Sequence, residues 1–366
     1  MKTFFRYFIS AMAFAVSLVS CVEPADEIVP EGVLKIFADK ESIDADGVDC
    51  VTFRVMFGAK DVSNERTMKL VWTSGDKTVE MSAGANAFST TAPGEYTFKA
   101  YLYSNGDKWS ENEIVINASA VEGQKSYIQK VIGEQFTSVG CVNCPSLSYQ
   151  IKNVQAQMPG VLIPLSFHMD YNMSDPMSTE ATEKFYKAYG MSGLPYFNLN
   201  MRKRDGGVNR EAIKEAVEEE LELFPTTCGV AVETEYDKSS RDLQITTKIT
   251  SNVSARYKYH IFLVEDGIEY SQSGADAGYI HDNVVRKMFA TDVTGLNINK
   301  KNPFTPGVEV TAVNSAKLPE DWNADNMRVV VIAMTTADGG VTFNCNNANE
   351  CKVGEKAGYL IKEYSV

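Results

Sequence analysis

The sequence predicts a multidomain chain in which a β-sandwich, an α/β domain and a second β domain follow one another. Three patterns predict it. Between residues 33 and 120, Val51, Phe53, Val55 and Phe57 alternate with Thr52, Arg54 and Met56, and Tyr96, Phe98, Ala100 and Leu102 alternate again. That is the period-two signature of strands with one buried face. Between 126 and 224 strand-like and helix-like periods take turns, the mark of an α/β layer. From 225 to 366 helical stripes largely vanish, and alternation returns at Leu243, Ile245, Thr247 and Ile249 and at Tyr257, Tyr259, Ile261 and Leu263.

The chain of 366 residues is 44% hydrophobic, enough for several cores, and carries a net charge of -13, which argues against nucleic acid as a partner. Residues 1–20 read as a leader: Lys2 and Arg6 precede an apolar run from Phe8 to Val19, too short for a comfortable membrane span. The quartet Leu18-Val19-Ser20-Cys21 resembles a lipobox, the processing motif of bacterial lipoproteins. The resemblance implies cleavage before Cys21, acylation of that cysteine, and a membrane held through lipid. Residues 21–32 then form a tether with Pro24, Pro30 and four acids. Acids so close to the lipidated cysteine resemble the surface-export signal of Bacteroidetes lipoproteins. Both periplasmic and cell-surface display fit.

Residues 33–120 are expected to be a β-sandwich. The stretches Asp44-Ala45-Asp46-Gly47 and Pro93-Gly94-Glu95-Tyr96-Thr97-Phe98 resemble bacterial immunoglobulin-like (Ig-like) modules. In residues 126–224 a strand is expected from Gln129 to Phe136. A helix from Pro145 to about Met158 follows, with Leu147, Ile151, Val154 and Met158 as its apolar stripe. Val161 to Phe167 reads as a buried strand, with Pro164 at a bulge or an unpaired position because it has no N–H to donate. Asp175-Pro176 looks like a cap and first-turn proline for a helix ending near Gly190. Leu194 to Leu199 is a short strand, and a last helix runs from Asn209 to Leu223 with Ile213, Val217 and Leu221 on one side.

The chemistry lies in Cys141-Val142-Asn143-Cys144-Pro145, between a strand and a helix. Two thiols at that spacing can close a disulfide at the helix's first turn. The first thiolate would face unpaired N–H groups and the positive end of the helix dipole, which lowers its pKa and makes it both a better nucleophile and a better leaving group. Cys141 is the candidate nucleophile and Cys144 the resolving thiol. Half a zinc site and a structural staple are the alternatives. Zinc needs further ligands, for which His168, His260 and His281 are the few candidates.

The order of elements over 126–224 resembles the thioredoxin fold, which implies that Pro195 in Gly190-Met191-Ser192-Gly193-Leu194-Pro195 is cis and lies beside Cys141. This chain departs from the thioredoxin pattern in three places. Gly140 stands where thioredoxins have Trp, Val142-Asn143 replaces Gly-Pro, and Gln135 replaces the buried acid that handles the resolving thiol's proton. Alternation points the neighbouring Glu134 to the other face of the sheet. An oxidase, an isomerase-like activity or an idle pair therefore fits better than an efficient reductase.

The block Glu134 to Pro145, the run His281-Asp282-Asn283-Val284-Val285-Arg286-Lys287-Met288-Phe289 and the Asn344-Cys345 to Cys351-Lys352 segment together resemble the Omp28-related outer-membrane lipoproteins over residues 126–366. Cys345 and Cys351 enclose a polar stretch read as a loop, and a structural disulfide between them is expected in an oxidising compartment, the alternative being a pair of free or metal-binding thiols. Cys50 is either a buried thiol or the partner of Cys228. His281, Asp282, Arg286 and Lys287 read as a loop held by salt bridges. No metal spacing and no phosphate loop is present, so no cofactor is expected. The implied partners are the membrane and the thiols of exported proteins or peptides; the rival reading is a non-catalytic binding or structural lipoprotein.

Overall fold

The computed structural model describes residues 29–362, apart from 48, 104–106, 122–124, 203–204 and 337–341. The leader, Cys21 and most of the tether lie outside the described residues. Among the described residues no helix is long and apolar enough to cross a membrane.

Among the described residues the first body contains ten strands: β1 Leu34–Ala38, β2 Ser42–Asp44, β3 Val51–Phe57, β4 Lys60–Asp61, β5 Met68–Ser74, β6 Lys77–Glu80, β7 Ala87–Phe88, β8 Gly94–Leu102, β9 Lys108–Trp109 and β10 Ile114–Ser119. One sheet is built on β3, between β1 and the short β4 and β7. The other runs β2-β10-β8-β5-β6, with β9 on β8. The inward residues of both sheets, including Ile36, Phe53, Leu70 and Phe98, close over one another into a single core. The alternation seen in β3 and β8 is the alternation between this core and solvent.

The remaining elements are β11 Val131–Thr137, α1 Cys144–Gln157, β12 Leu162–His168, α2 Glu180–Tyr189, β13 Tyr196–Leu199, α3 Arg210–Leu223, β14 Cys228–Asp237, β15 Asp242–Ser251, β16 Tyr257–Glu265, β17 Ile268–Glu269, β18 Ile280–His281, β19 Val284–Met288, β20 Leu296–Asn297, β21 Val310–Lys317, β22 Met327–Thr335, β23 Asn344–Lys352 and β24 Lys356–Ala357. β11 is central: it pairs β12 in parallel and β13 antiparallel, consistent with a thioredoxin-like arrangement. A single bridge between Asn198 and Asp205 continues that edge beyond β13.

The sheet does not stop at residue 225. Its order is β13-β11-β12-β19-β16-β22-β23, so strands from the C-terminal third extend the sheet that begins with β11. A second sheet, β21-β15-β14-β24, packs over that extension through Val230, Ile245, Ile261 and Val331. The C-terminal strands were expected to form a separate body; they instead share a sheet with the α/β segment. The joining contact is Ser166 N–H donating to the Asn283 carbonyl at 2.7 Å. It links residues far apart in sequence, and local periodicity carries no trace of it. Pro164 lies on the same edge of β12 two residues earlier, where pairing with β19 is confined to Ser166, so its missing donor faces no partner strand.

Two expectations fail locally. Asp175-Pro176 does not cap α2, which starts from Thr179, whose side chain accepts from Thr182 N. Asp175 is drawn instead to the end of β11, where it accepts from Val139 N. The stretch between Cys345 and Cys351 is not a loop but β23 itself, a nine-residue strand. Its asparagines reach the neighbouring sheet: Asn347 Nδ2 donates to the Cys228 carbonyl at 2.9 Å and Asn349 Nδ2 to the Val230 carbonyl at 2.9 Å. Polar residues are buried here because each is satisfied.

Candidate active site at the cysteine pair

Cys141 and Cys144 form a disulfide with Cα atoms 5.4 Å apart, within the range such bonds require. Strand β11 delivers the chain to Ser138, and Cys144 opens α1 with Pro145 in its first turn. The N-cap Asn143 supplies no side-chain cap, and no acid occupies the first turn. The helix therefore presents its positive end to the pair without a competing negative charge.

The face beneath the pair is polar. Gln135 Nε2 donates to Ser148 Oγ at 2.8 Å and to the Cys144 carbonyl at 3.4 Å. Glu134 points to the opposite face, as alternation predicts, where it accepts from Tyr189 Oη at 2.9 Å, from Met201 N at 3.1 Å and from Asn198 Nδ2. Full burial raises its pKa to about 7, because these three hydrogen bonds only partly offset the loss of water. It makes no hydrogen bond to Cys144's surroundings, so the proton-handling position of thioredoxins is held by an amide.

Pro195 follows a cis peptide bond, as the resemblance implied. Tyr196, the next residue, pairs Phe136. That register sets Pro195 at the carboxyl end of β11, the end from which Cys141 emerges.

Two segments close over the pair. The loop after β12 brings the Tyr171 carbonyl so near Gly140 that a Cβ there would sit 2.1 Å from it, which explains why a glycine stands where thioredoxins carry Trp. The β17–β18 hairpin comes from the far side. Gln272 Nε2 donates to the carbonyls of Cys141 at 2.9 Å, Ser138 at 3.2 Å and Val139 at 3.3 Å, and Ser273 N donates to Val139 O at 2.8 Å. Gly274 lies against Val142, with room for no side chain. In consequence Cys141 is 3% exposed and Cys144 1%, while Val142 between them is 65% exposed.

Nothing in the sequence marked Gln272 or the hairpin as part of the site. Of the histidines, His168 and His281 both approach α1, whereas His260 is buried between Phe185 and Phe262. Arg286 does form salt bridges, to Glu265 at 3.5 Å and Asp321 at 3.7 Å, but the segment is not the expected loop: His281 lies on β18 and Arg286 and Lys287 on β19.

Cys345 and Cys351 are free and buried, against expectation. A one-residue irregularity at Asn346, where Ala333 pairs Asn347 but Met334 pairs Cys345, turns Cys345 to one face of the sheet and leaves Cys351 on the other. Six residues of extended strand also hold them about 20 Å apart. Burial pushes both thiols up, Cys351 to about 11. Cys50 is exposed and Cys228 buried, and both are free, so neither reading of Cys50 holds.

The fold and the site define a thioredoxin-like protein enlarged by β layers, with its cysteine pair enclosed. Residues 182–356 match the family described as outer membrane protein Omp28, and that similarity supports an outer-membrane-associated protein. The matched span starts after the cysteine pair. The structure of HBP35 of Porphyromonas gingivalis aligns with a TM-score of 0.52 at 17% identity, over 63% of this chain and 77% of that one. A crystal structure from Agrobacterium tumefaciens aligns at 16% identity over 66% of this chain and 100% of that one, with a TM-score of 0.41. A search of the curated proteins finds no match.

Proposed function

We propose that the chain is an envelope thiol–disulfide oxidoreductase acting on thiols of exported proteins or peptides. The observation that carries this reading is the Cys141–Cys144 disulfide at the uncapped, acid-free start of α1. A substrate thiolate attacks Cys141 Sγ, a mixed disulfide forms, and Cys144 departs as a thiolate. A second substrate thiolate then attacks the substrate sulfur of that mixed disulfide and releases Cys141. The substrate dithiol is oxidised to a disulfide, the protein gains two electrons, and two protons are released. A small or protein disulfide restores the oxidised pair. Gln135 in place of an acid favours this direction over fast reduction, since it offers no base for the resolving thiol.

The finer organisation belongs to the same proposal: Cys21 as the lipid anchor, residues 33–120 as an Ig-like spacer, 126–224 as the redox module and 225–366 as its β support. A second reading, an inert binding or structural lipoprotein, draws on the burial of both sulfurs under the β17–β18 hairpin. The test is oxidation of a dithiol peptide with oxidised glutathione as terminal oxidant. Wild type should outpace the Cys141→Ser variant; equal rates would leave the inert reading standing.

A further inference from the structure

Gln135 and Thr137 on β11 and Ser166 and His168 on β12 turn four buried polar side chains toward the α1 side of the sheet. The reverse face of the same strands carries Phe136 and Phe167. The four polar groups wall a cavity of about 220 Å³, closed on the far side by α1 at Ser148 and by the hairpin at His281. Neither Cys141 nor Cys144 lines it. Gln135 and His168 are hydrogen-bonded within the wall, whereas His281 Nε2 is buried there without a partner, which is costly unless something in that space engages it.

Two imidazoles share this cavity. His168 Nδ1 lies 2.8 Å from Asp175 Oδ2, and that carboxylate also accepts from Val139 N. The carboxylate holds Nδ1 as the donor, so in the neutral ring Nε2 is the nitrogen left to take a metal. His281 hydrogen-bonds the Tyr270 backbone, and its Nε2 is buried with no hydrogen-bond partner, so Nδ1 is again the donor. His281 is 5% exposed and His168 2%. Their ring centroids are 5.2 Å apart, with the planes at 69°. Two imidazoles bound at about 2.0–2.1 Å to one tetrahedral ion place their centroids about 5 Å apart. Anchoring of each Nδ1 by a carboxylate or a carbonyl is the outer-shell arrangement that orients metal-binding histidines.

We propose that His168 and His281 form a two-histidine site for a divalent transition-metal ion of the Zn²⁺ class. Among the described residues no group of three His, Cys, Asp or Glu side chains could hold a metal. The site therefore leaves coordination positions for water or for an incoming ligand, unlike a closed structural site. Lys152 and Asp282, 3.8 Å apart at the exposed edge, flank its entrance.

The inference stands apart from the redox reading, and its test separates the two. The oxidised full chain is titrated with Zn²⁺ calorimetrically and with Co²⁺ by absorption. One equivalent should bind. The affinity should fall about tenfold or more in His281→Ala and again in the His168→Ala/His281→Ala pair, and persist in Cys141→Ser/Cys144→Ser. His281→Gln, which keeps the bulk and a polar tip, should bind as weakly as His281→Ala while melting like wild type. Absence of binding, equal binding by the double histidine variant, or loss only in the cysteine variant would overturn the assignment.

Discussion

Gln272 donates its side-chain amide to the Cys141 carbonyl at 2.9 Å, joining residues 131 positions apart in sequence. The same nitrogen lies within reach of the Ser138 and Val139 carbonyls, so one side chain fastens the β17–β18 hairpin to the turn that carries the cysteine pair. Replacing Gln272 with Ala removes the side-chain donor from carbonyls that keep Cys141 N, Ser273 N and Cys144 N as backbone partners, at a cost of about 0.5–1.5 kcal/mol. The Gln272→Ala variant should reduce faster than wild type in dithiothreitol, followed by alkylation and mass shift. An unchanged rate would mean that the hairpin does not control access.

Gly274 has φ +81, and a Cβ there would meet the Val142 carbonyl at 2.2 Å. Gly274→Ala combines backbone strain with overlap and should destabilise the chain by about 1–3 kcal/mol, read as a lower urea midpoint. Its disulfide should also become easier to reduce, because relief of the overlap lifts the hairpin from the pair.

Arg328 ties the shared sheet together. Its guanidinium donates to Asp266 Oδ2 at 2.6 Å, Glu350 Oε2 at 2.8 Å, Asn283 Oδ1 at 2.7 Å and the Pro164 carbonyl at 3.3 Å, linking β12, β22 and β23 with the chain just before β19. The side chain is largely buried while its carboxylate partners Asp266 and Glu350 are partly exposed, so Arg328→Met should destabilise the fold by about 1–3 kcal/mol. One cooperative transition should take residues 131–352 down together, as a continuous sheet requires.

Much of this was legible in the sequence. Alternation located β3, β8, β15 and β16, and the spacing of Leu147, Ile151 and Val154 located α1. The cysteine pair, its helix and the cis bond before Pro195 followed from local pattern and resemblance. What escaped was non-local. Nothing near Gln272 indicates that it closes over Cys141, and nothing near Ser166 announces β19. Cys345 and Cys351 misled because Asn346, Asn347 and Asn349 read as a polar loop, when each has a buried partner in or beside β14. The polar alternation of Gln135 with Thr137 and of Ser166 with His168 was a visible signal of the cavity, hidden by the apolar residues between them.

Two buried groups set opposing pH slopes. Burial holds His260 down to about 4, so it is neutral when folded. Above pH 6.5 it is neutral in both states and its contribution is intact. Between 6.5 and 4 the unfolded chain protonates first, and stability falls by on the order of 3 kcal/mol. Glu134 behaves in reverse. Its folded pKa of about 7 exceeds the ordinary 4.5, so stability is intact below 4.5 and declines by a similar amount as pH rises to 7. Urea denaturation of Glu134→Gln from pH 4 to 8 should lack the decline on rising pH, and that of His260→Leu should lack the decline on falling pH. A Glu134→Gln profile parallel to wild type would show that Glu134 is ionised throughout.

The most direct test of Cys141 as the exchanging sulfur uses the Cys144→Ala chain, in which no resolving thiol can expel a bound partner. Incubated with oxidised glutathione and examined by intact mass and peptide mapping, it should carry one glutathione on Cys141, acquired faster at pH 7 than a free cysteine peptide allows. Adding Gln272→Ala should accelerate the capture. If Cys141 stays unmodified in both chains, or reacts no faster than the free peptide once the hairpin is loosened, the oxidoreductase account is contradicted.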